Sequence, residues 1–344
     1  MNPTRVAVIG VGTMGRKHVD LLRAEPRCEL VAVADPVPEA KEYARRLGVP
    51  YYADYREMLD RAKPEGAIIA SPTPLHAPMG IACAEWRVHM LMEKPIAESV
   101  EAARRLSAAA ERAGVALLVG HHRRHNPIIQ KAREIVQGGK LGRLTAVTAL
   151  WVVRKPDAYY QLAWRREPGG GPVLTNLIHD LDDLRYICGE IESVQAYCSN
   201  GVRGFAVEDT AVVSLRFAGG ALGTVTVSDA AAAPWSWELT SGENTIYPQQ
   251  RENCYLFAGT EASLAVPKLE LWRYPGEQGW NAPLQCERIA VEPADPLVRQ
   301  LRHFSSVIRG EEKPRITGAD ATRTLSAVLA VKRAAELGTI VTVD

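Results

Sequence analysis

The chain has 344 residues, 47% of them hydrophobic and 24% charged. That is enough chain for two ordinary domains, with the composition of a globular rather than a disordered protein. Lys and Arg number 41 against 40 Asp and Glu, which excludes a strongly basic surface made for nucleic acid or an anionic membrane. The six cysteines include no C-x-x-C, so reduced thiols in a cytoplasmic protein are expected, with neither a disulfide framework nor a metal site.

Val6 to Ile9 is a short apolar run, suited to a buried parallel strand and too short for a signal segment or a membrane span. Gly10-x-Gly12-x-x-Gly15 follows, and helical spacing continues through Val19 and Leu22. In a strand-to-helix turn, Gly10 permits the tight turn, Gly12 leaves room for a pyrophosphate, and Gly15 lets helix and strand approach. The free N–H groups of the helix start then favour an anion. A second strand, CELVAVAD, ends in Asp35, twenty residues after Gly15, where a carboxylate accepts ribose hydroxyls. The pattern predicts a dinucleotide site. Asp35 repels a 2′-phosphate, so NAD is expected ahead of NADP.

Helices are predicted over 38–47, 54–62 and 98–113, with short strands at Tyr51–Tyr52, in EGAIIA, in VHMLM and over 115–119. This alternation predicts a parallel sheet that binds at the carboxyl ends of its strands. Gly10, Asp35, Ser71, Thr73, Lys94 and His121 all fall at such ends.

GHHRRHNP, residues 120–127, holds a cationic cluster in which Arg123 or Arg124 could meet a substrate carboxylate or a cofactor phosphate. Tyr159, Tyr160, Trp164 and Arg165 come next, aromatic residues able to pack on a sugar or cyclic diol. In GGGPVLTNLIHDLDDLRY, Pro172 suits a first helical position with Gly171 as cap. Leu174, Leu177, Ile178, Leu181 and Leu184 form a buried stripe. Thr175, His179, Asp182 and Tyr186 fall on another face, roughly 120 degrees round. Either Asp182 or Asp183 could then fix the His179 tautomer. AVVSLRFAGGALGTVTVSD predicts a hairpin at Gly219–Gly220. ESVQAYCSN, NCYLFAGT and LELWRY are further strand-like runs, and 318–337 is a long amphipathic helix.

Taken together, GVGTMGRKH, ADP, SPTPLH, EKP, WRREPGGG, HDLD and AVEDT make the chain resemble the glucose–fructose oxidoreductase, inositol dehydrogenase and MocA family of NAD(P)-dependent dehydrogenases. The resemblance runs nearly end to end. It implies a Rossmann domain over 1–122 and an open, mostly antiparallel β-sheet domain backed by helices over 123–344, with helix 318–337 free to pack back on the first. On it the cofactor contacts take in Thr13 and Met14 of the glycine turn, Ser71, Thr73 and His76 of SPTPLH, and Glu93 with Lys94. The substrate contacts take in Arg123, Arg124, Tyr160, Trp164, Arg165, Asn176 and His179. Lys94, His179, Thr175 and Asp182 form the expected catalytic group, with His179 as acid/base. The implied reaction is NAD-dependent oxidation or reduction at a secondary alcohol of a sugar, polyol or related ring. The alternatives are a dihydrodiol dehydrogenase acting on a carboxylated ring and a non-catalytic NAD-binding sensor. A homodimer or homotetramer through the second sheet is implied as well. One departure stands out: many relatives carry aspartate four residues before the histidine, where this chain has Thr175. Asn176 lies about 100 degrees further round an ideal helix and is not expected to substitute.

Overall fold

The computed structural model describes residues 2–344. They form two compact units, residues 2–122 with Pro296–Leu325 and Arg123–Asp295 with Ser326–Asp344.

In the first unit, strands and helices alternate as β1 Thr4–Ile9, α1 Thr13–Ala24, β2 Cys28–Ala34, α2 Pro38–Leu47, β3 Tyr51–Tyr52, α3 Tyr55–Ala62, β4 Gly66–Ile69, α4 His76–Glu85, β5 His89–Met92, α5 Val100–Ala113 and β6 Leu117–Val119. The strand order is 3-2-1-4-5-6, with every pair parallel. Chain direction across the sheet reverses between β1 and β4, the place where such sheets open a crevice at their carboxyl ends. All four residues of β4 are buried, which is why this strand is a plain apolar run rather than an alternating one. No element is expected over 76–85 from the sequence. The helix there buries Ala77, Gly80, Ala82, Cys83 and Ala84, so it lacks the polar stripe that makes a helix visible in a sequence.

The second unit opens with α6 Pro127–Gln137 and β7 Leu144–Val152. A π-helical turn, Val173–Leu177, leads into α7 Ile178–Cys188. Then come β8 Ile191–Ser199, β9 Thr210–Phe217, β10 Leu222–Ser228, the single turn α8 Trp237–Thr240, β11 Tyr255–Gly259, β12 Ala262–Val266, β13 Glu270–Arg273 and β14 Gln285–Arg288. The nine-stranded sheet has the order β14-β13-β12-β11-β7-β10-β9-β8 and is closed by β15, Val341–Thr342. Within this sheet, among the described strands, only β7 and β10 pair in parallel. Gly220, with φ +86°, turns the β9–β10 hairpin as the Gly-Gly pair predicts. Ile129, Ile135, Leu181, Leu184 and Ile187 of α6 and α7 share one core with Val213, Leu215, Phe217, Val225 and Phe257 of the sheet. α6 is not among the expected elements, although Asn126 caps it through Ile128 N and Pro127 opens it.

Two long helices remain, α9 Pro296–Ile308 and α10 Gly318–Leu337. The second domain is expected from the sequence to run to residue 344, with helix 318–337 free to pack back on the first. In the structure α9 and the start of α10 belong to the first unit. Leu301, Phe304 and Val307 join the core of β1, β2 and β4. A Cβ on Gly66 would lie 2.9 Å from Phe304 Cζ and 2.6 Å from Ile308 Cδ1, so the glycine at the start of β4 is the seat of α9.

Phe304 is fully buried. Phe304→Ala is therefore expected to destabilise the first unit by about 3–5 kcal/mol. The check is a lower urea midpoint followed by a probe in that unit.

Candidate active site

At the switch point of the parallel sheet, each glycine of the first turn has a separate steric reason. Gly10 has φ +87°, and a Cβ there would lie 2.7 Å from Ala70 O; a Cβ on Gly15 would lie 1.8 Å from Gly10 O. Gly12, by contrast, faces open space. It caps α1 without a side-chain hydrogen bond, and no acid occupies the first turn. Thr13 and Met14 are exposed beside it. The helix start is therefore unneutralised and sterically open, as an anion site requires. Asp35 accepts Val11 N at 2.8 Å through Oδ2 and Val37 N at 2.9 Å through Oδ1, so the carboxylate is anchored to the glycine turn itself. Arg16, a possible reader of a 2′-phosphate, instead donates Nε to Val11 O at 3.0 Å and stacks on Tyr43. Across from Gly10, the buried Ser71 Oγ has no hydrogen-bond partner among the described residues. Thr73 begins a 3₁₀ turn after it. A bound dinucleotide fits these features: room at Gly12, free N–H groups at α1, a carboxylate at Asp35 and an orphaned hydroxyl at Ser71.

His76 and Glu93 were expected among the cofactor contacts, and the structure gives both a different engagement. His76 is 1% exposed, with Nδ1 2.8 Å from Pro95 O and Nε2 2.9 Å from Ser71 O. Burial pushes this imidazole below its usual range, against the pull of the two carbonyls. It ties the loop after β4 to the residue that follows Lys94. Glu93, which precedes Lys94, is also buried. Its Oε1 lies 2.7 Å from His18 Nε2, and its Oε2 accepts Lys94 N at 3.2 Å. Burial opposes the charged carboxylate, but the bond from His18 and the nearby cations outweigh it and hold Glu93 down at about 2. The backbone on both sides of Lys94 is thus fixed by buried polar groups, while Lys94 itself is only partly buried. His18 was not singled out from the sequence. It shares the buried face of α1 with Gly15, Val19 and Leu22, and a histidine on such a face requires a partner.

In the second unit, the regular α-spacing expected between Thr175 and His179 is broken. Val173–Leu177 is π-helical, so Thr175 and His179 lie on either side of a change in helical pitch. The glycine run ahead of it serves close packing. A Cβ on Gly170 would lie 2.3 Å from Trp164 O, and one on Gly171 would lie 2.3 Å from Glu208 Oε1. Glu208, from AVEDT, accepts Val173 N at 3.0 Å and so closes the helix start. Thr175 Oγ1 is 2.9 Å from Gly171 O and 2.9 Å from Asn176 Oδ1. Asn176, set aside on angular grounds, is therefore joined to Thr175. Its Oδ1 also accepts from Lys155 Nζ at 2.7 Å, a residue the sequence analysis did not single out. His179 follows three positions on and is partly exposed.

The acids around His179 answer to two arginines. Asp180, Asp182 and Asp183 are fully buried. Arg124 grips Asp182 through Nε and Nη2, both at 2.7 Å. Arg123 reaches Asp180 at 3.1 Å, Asp183 at 3.3 Å and Glu238 at 2.7 Å. Tyr255 Oη donates to Asp180. Burial pushes the Asp180 carboxyl up to about 6 and Asp183 well above the usual range, against the pull of Arg123. Arg123 and Arg124 are 2% and 3% exposed. The expectation that they meet a substrate carboxylate or a cofactor phosphate is thereby corrected, because both guanidinium groups are buried in ion pairs. Tyr160 is corrected likewise: it is buried, its hydroxyl donates to Asp229 at 2.5 Å and Arg203 covers its ring. Trp164 is 51% exposed, and Arg165 stacks against it and against Tyr159.

Residues 4–121 match the family model of the GFO/IDH/MocA oxidoreductases with an NAD-binding Rossmann fold, and residues 129–265 match the GFO/IDH/MocA C-terminal domain. The chain is 28% identical to myo-inositol 2-dehydrogenase of Thermotoga maritima, over 96% of each chain. It is 27% identical to scyllo-inositol 2-dehydrogenase (NAD(+)) of Bacillus subtilis, over 99% of this chain and 96% of the relative. Its fold resembles that of the WlbA dehydrogenase of Bordetella pertussis, solved with NADH and UDP-GlcNAcA, with a TM-score of 0.81, 25% identity and 99% of each chain covered.

Because Glu93 is held at about 2, its contribution to stability is complete above the ordinary carboxylate range and is lost as pH falls through that value. His18→Ala removes a buried partner of a charged group. It is expected to cost about 1–3 kcal/mol at pH 7, with the difference from wild type shrinking toward pH 2. Thermal unfolding across that range is the measurement.

Proposed function

The chain belongs to the Gfo/Idh/MocA family of NAD-binding oxidoreductases, and from that premise we propose that it interconverts a secondary alcohol and a ketone on a sugar, polyol or related cyclic compound, with NAD as cofactor. The observation that carries this is the nucleotide cradle at the switch point, with Lys94 just beyond the end of β5 in the same sheet. When bound, NAD supplies the acceptor for the hydride that leaves the carbinol carbon.

The remaining chemistry falls to side chains of this chain. The Lys94 ammonium orients the substrate hydroxyl and lowers its pKa by placing positive charge beside the developing alkoxide. The His179 imidazole takes the hydroxyl proton in oxidation and returns it in reduction. Asp182, held on both oxygens by Arg124, has its place in fixing the helix that carries His179. Glu93, His18 and His76 position Lys94.

The outer face of the second sheet supports a homo-oligomer. Tyr197, Val212, Leu222 and Leu256, from four different strands, are 74%, 47%, 54% and 48% exposed, an apolar surface of the kind that marks an interface. Six free cysteines are consistent with a reducing, cytoplasmic compartment. No described helix is long and apolar enough to cross a membrane.

NADH formation with a panel of polyols and sugars tests the reading. Lys94→Ala is expected to abolish turnover and leave NAD binding largely intact. His179→Ala should lower turnover by about two to four orders of magnitude and flatten the pH–rate profile near neutrality. Asp35→Ser should narrow the preference for NAD over NADP, measured as the ratio of the two dissociation constants by calorimetry.

A further inference from the structure

A cavity of about 190 Å³ opens in the second unit, lined by Arg154, Asp157, Val202, Arg203, Phe205 and Ala230. None of these residues belongs to the expected catalytic, cofactor or substrate groups, so the cavity is independent of the dehydrogenase reading. Its back wall is held in place. Asp209 is buried and accepts Val202 N at 3.0 Å and Arg203 N at 2.8 Å on one oxygen. Asn200 Nδ2 donates to Phe205 O at 2.7 Å. The Phe205 ring leans on that of Tyr160, with centroids 5.1 Å apart. Val202, Arg203 and Phe205 thus stand on a loop whose backbone is fixed by side chains that do not line the cavity, as a preorganised site requires.

The second observation is what the two arginines have left to give. The Arg203 side chain is 9% exposed. Its Nε donates to Asp229 Oδ1 at 3.1 Å, and its Nη2 donates to Asp229 O at 2.6 Å and Lys155 O at 2.9 Å. Among the described residues, its Nη1 meets only the Asp157 carboxylate, at 3.6 Å, beyond the reach of a hydrogen bond. Arg154 is exposed. Its backbone bridges Ala230, and its guanidinium has no hydrogen bond or ion pair among the described residues. Nη1 of one arginine and the whole fork of the other are therefore uncommitted at the same cavity. Charge is uncommitted as well. Arg154, Arg203 and Lys155 stand against Asp157 and Asp229, an excess of one positive charge.

We propose that this cavity binds a small organic monocarboxylate, its oxygens at Arg154 and Arg203 Nη1 and its apolar body against Phe205, Val202 and Ala230. The excess of one charge matches a monoanion, and guanidinium donors match a planar carboxylate. The three apolar side chains offer an organic ligand contacts that an inorganic anion cannot use. The volume is below the range of about 300–1,000 Å³ usual for cofactors and drug-sized ligands, which excludes a nucleotide. Asp157 is the competing counter-ion. Its side chain is 89% exposed, and an exposed ion pair is weak, so the carboxylate of the ligand displaces it at small cost.

The test is calorimetric titration of the full chain with benzoate and isobutyrate, set against benzamide, isobutyramide and inorganic phosphate. Both carboxylates are expected to bind more tightly than their amides and than phosphate. Arg154→Met should weaken benzoate about tenfold, the worth of one hydrogen bond to a charged group, and Arg154→Lys should recover part of the loss. Asp157→Asn removes the competing charge and should tighten benzoate about two- to fivefold. Both side chains are exposed, so neither substitution touches the core. Opposite effects at these two positions support the site. Amides or phosphate that bind as well as the carboxylates overturn it, as does a failure of both carboxylates to bind. An affinity for benzoate unmoved by Arg154→Met or by Asp157→Asn overturns it too. Should Arg154→Met fail to fold, the Asp157→Asn titration decides alone: tighter binding supports the site and equal binding overturns it.

Discussion

Three aspartates lie without solvent exposure on one short helix, and the second unit can bury them only because two consecutive arginines enter the same interior. A carboxylate taken out of water without a partner costs several kcal/mol, and removing one member of a buried pair commonly costs 3–5, roughly. Asp182 with Arg124, and Asp180 and Asp183 with Arg123 and Tyr255, therefore set the helix in one rotational position. A rotation by one residue would separate every one of these pairs. His179 inherits that position. Glu238 extends the constraint, since it accepts Arg123 Nη2 through Oε1 and the Trp151 indole through Oε2. Trp151 belongs to β7, the strand that leads toward Lys155.

The first unit obeys the same rule on a smaller scale. Glu93 is buried and charged because His18 donates to it, and His76 spans two carbonyl oxygens. These contacts fix the backbone before and after Lys94. Rigidity has been placed in the backbone, next to a group that has to meet a ligand.

The parallel sheet was legible because it is buried on both faces, so its strands are apolar runs that end in small or polar residues. The glycine turn and Asp35 were legible because each has a steric or electrostatic reason that acts within one strand–turn–helix unit. The helix of His179 was legible as a helix, but its acidic residues gave no sign that they were buried. Their partners are 57 to 60 residues away, and no local pattern encodes such a pairing. The π turn was hidden for a related reason. Leu174, Leu177 and Ile178 satisfy the α-period whether or not an extra residue is accommodated, and it is Glu208, bound to Val173 N, that meets the altered helix start. Lys155 was invisible because a single lysine after a strand has no distinguishing pattern. It bonds to Asn176, twenty-one positions later, a pairing that no local pattern encodes.

The seat of α9 on Gly66 has a consequence for biosynthesis. A chain made from its N-terminus exposes the face of the parallel sheet over β1, β2 and β4 before Leu301, Phe304 and Val307 have been translated. That apolar face must wait through the synthesis of the whole second unit for its cover. The nucleotide-binding unit begins before the second unit in the chain but is completed only after it, once Pro296–Leu325 has been made. The nascent chain is thus most open to association with other chains, or to capture by a chaperone, during that interval. The second unit also receives a late piece, Ser326–Asp344, made after α9.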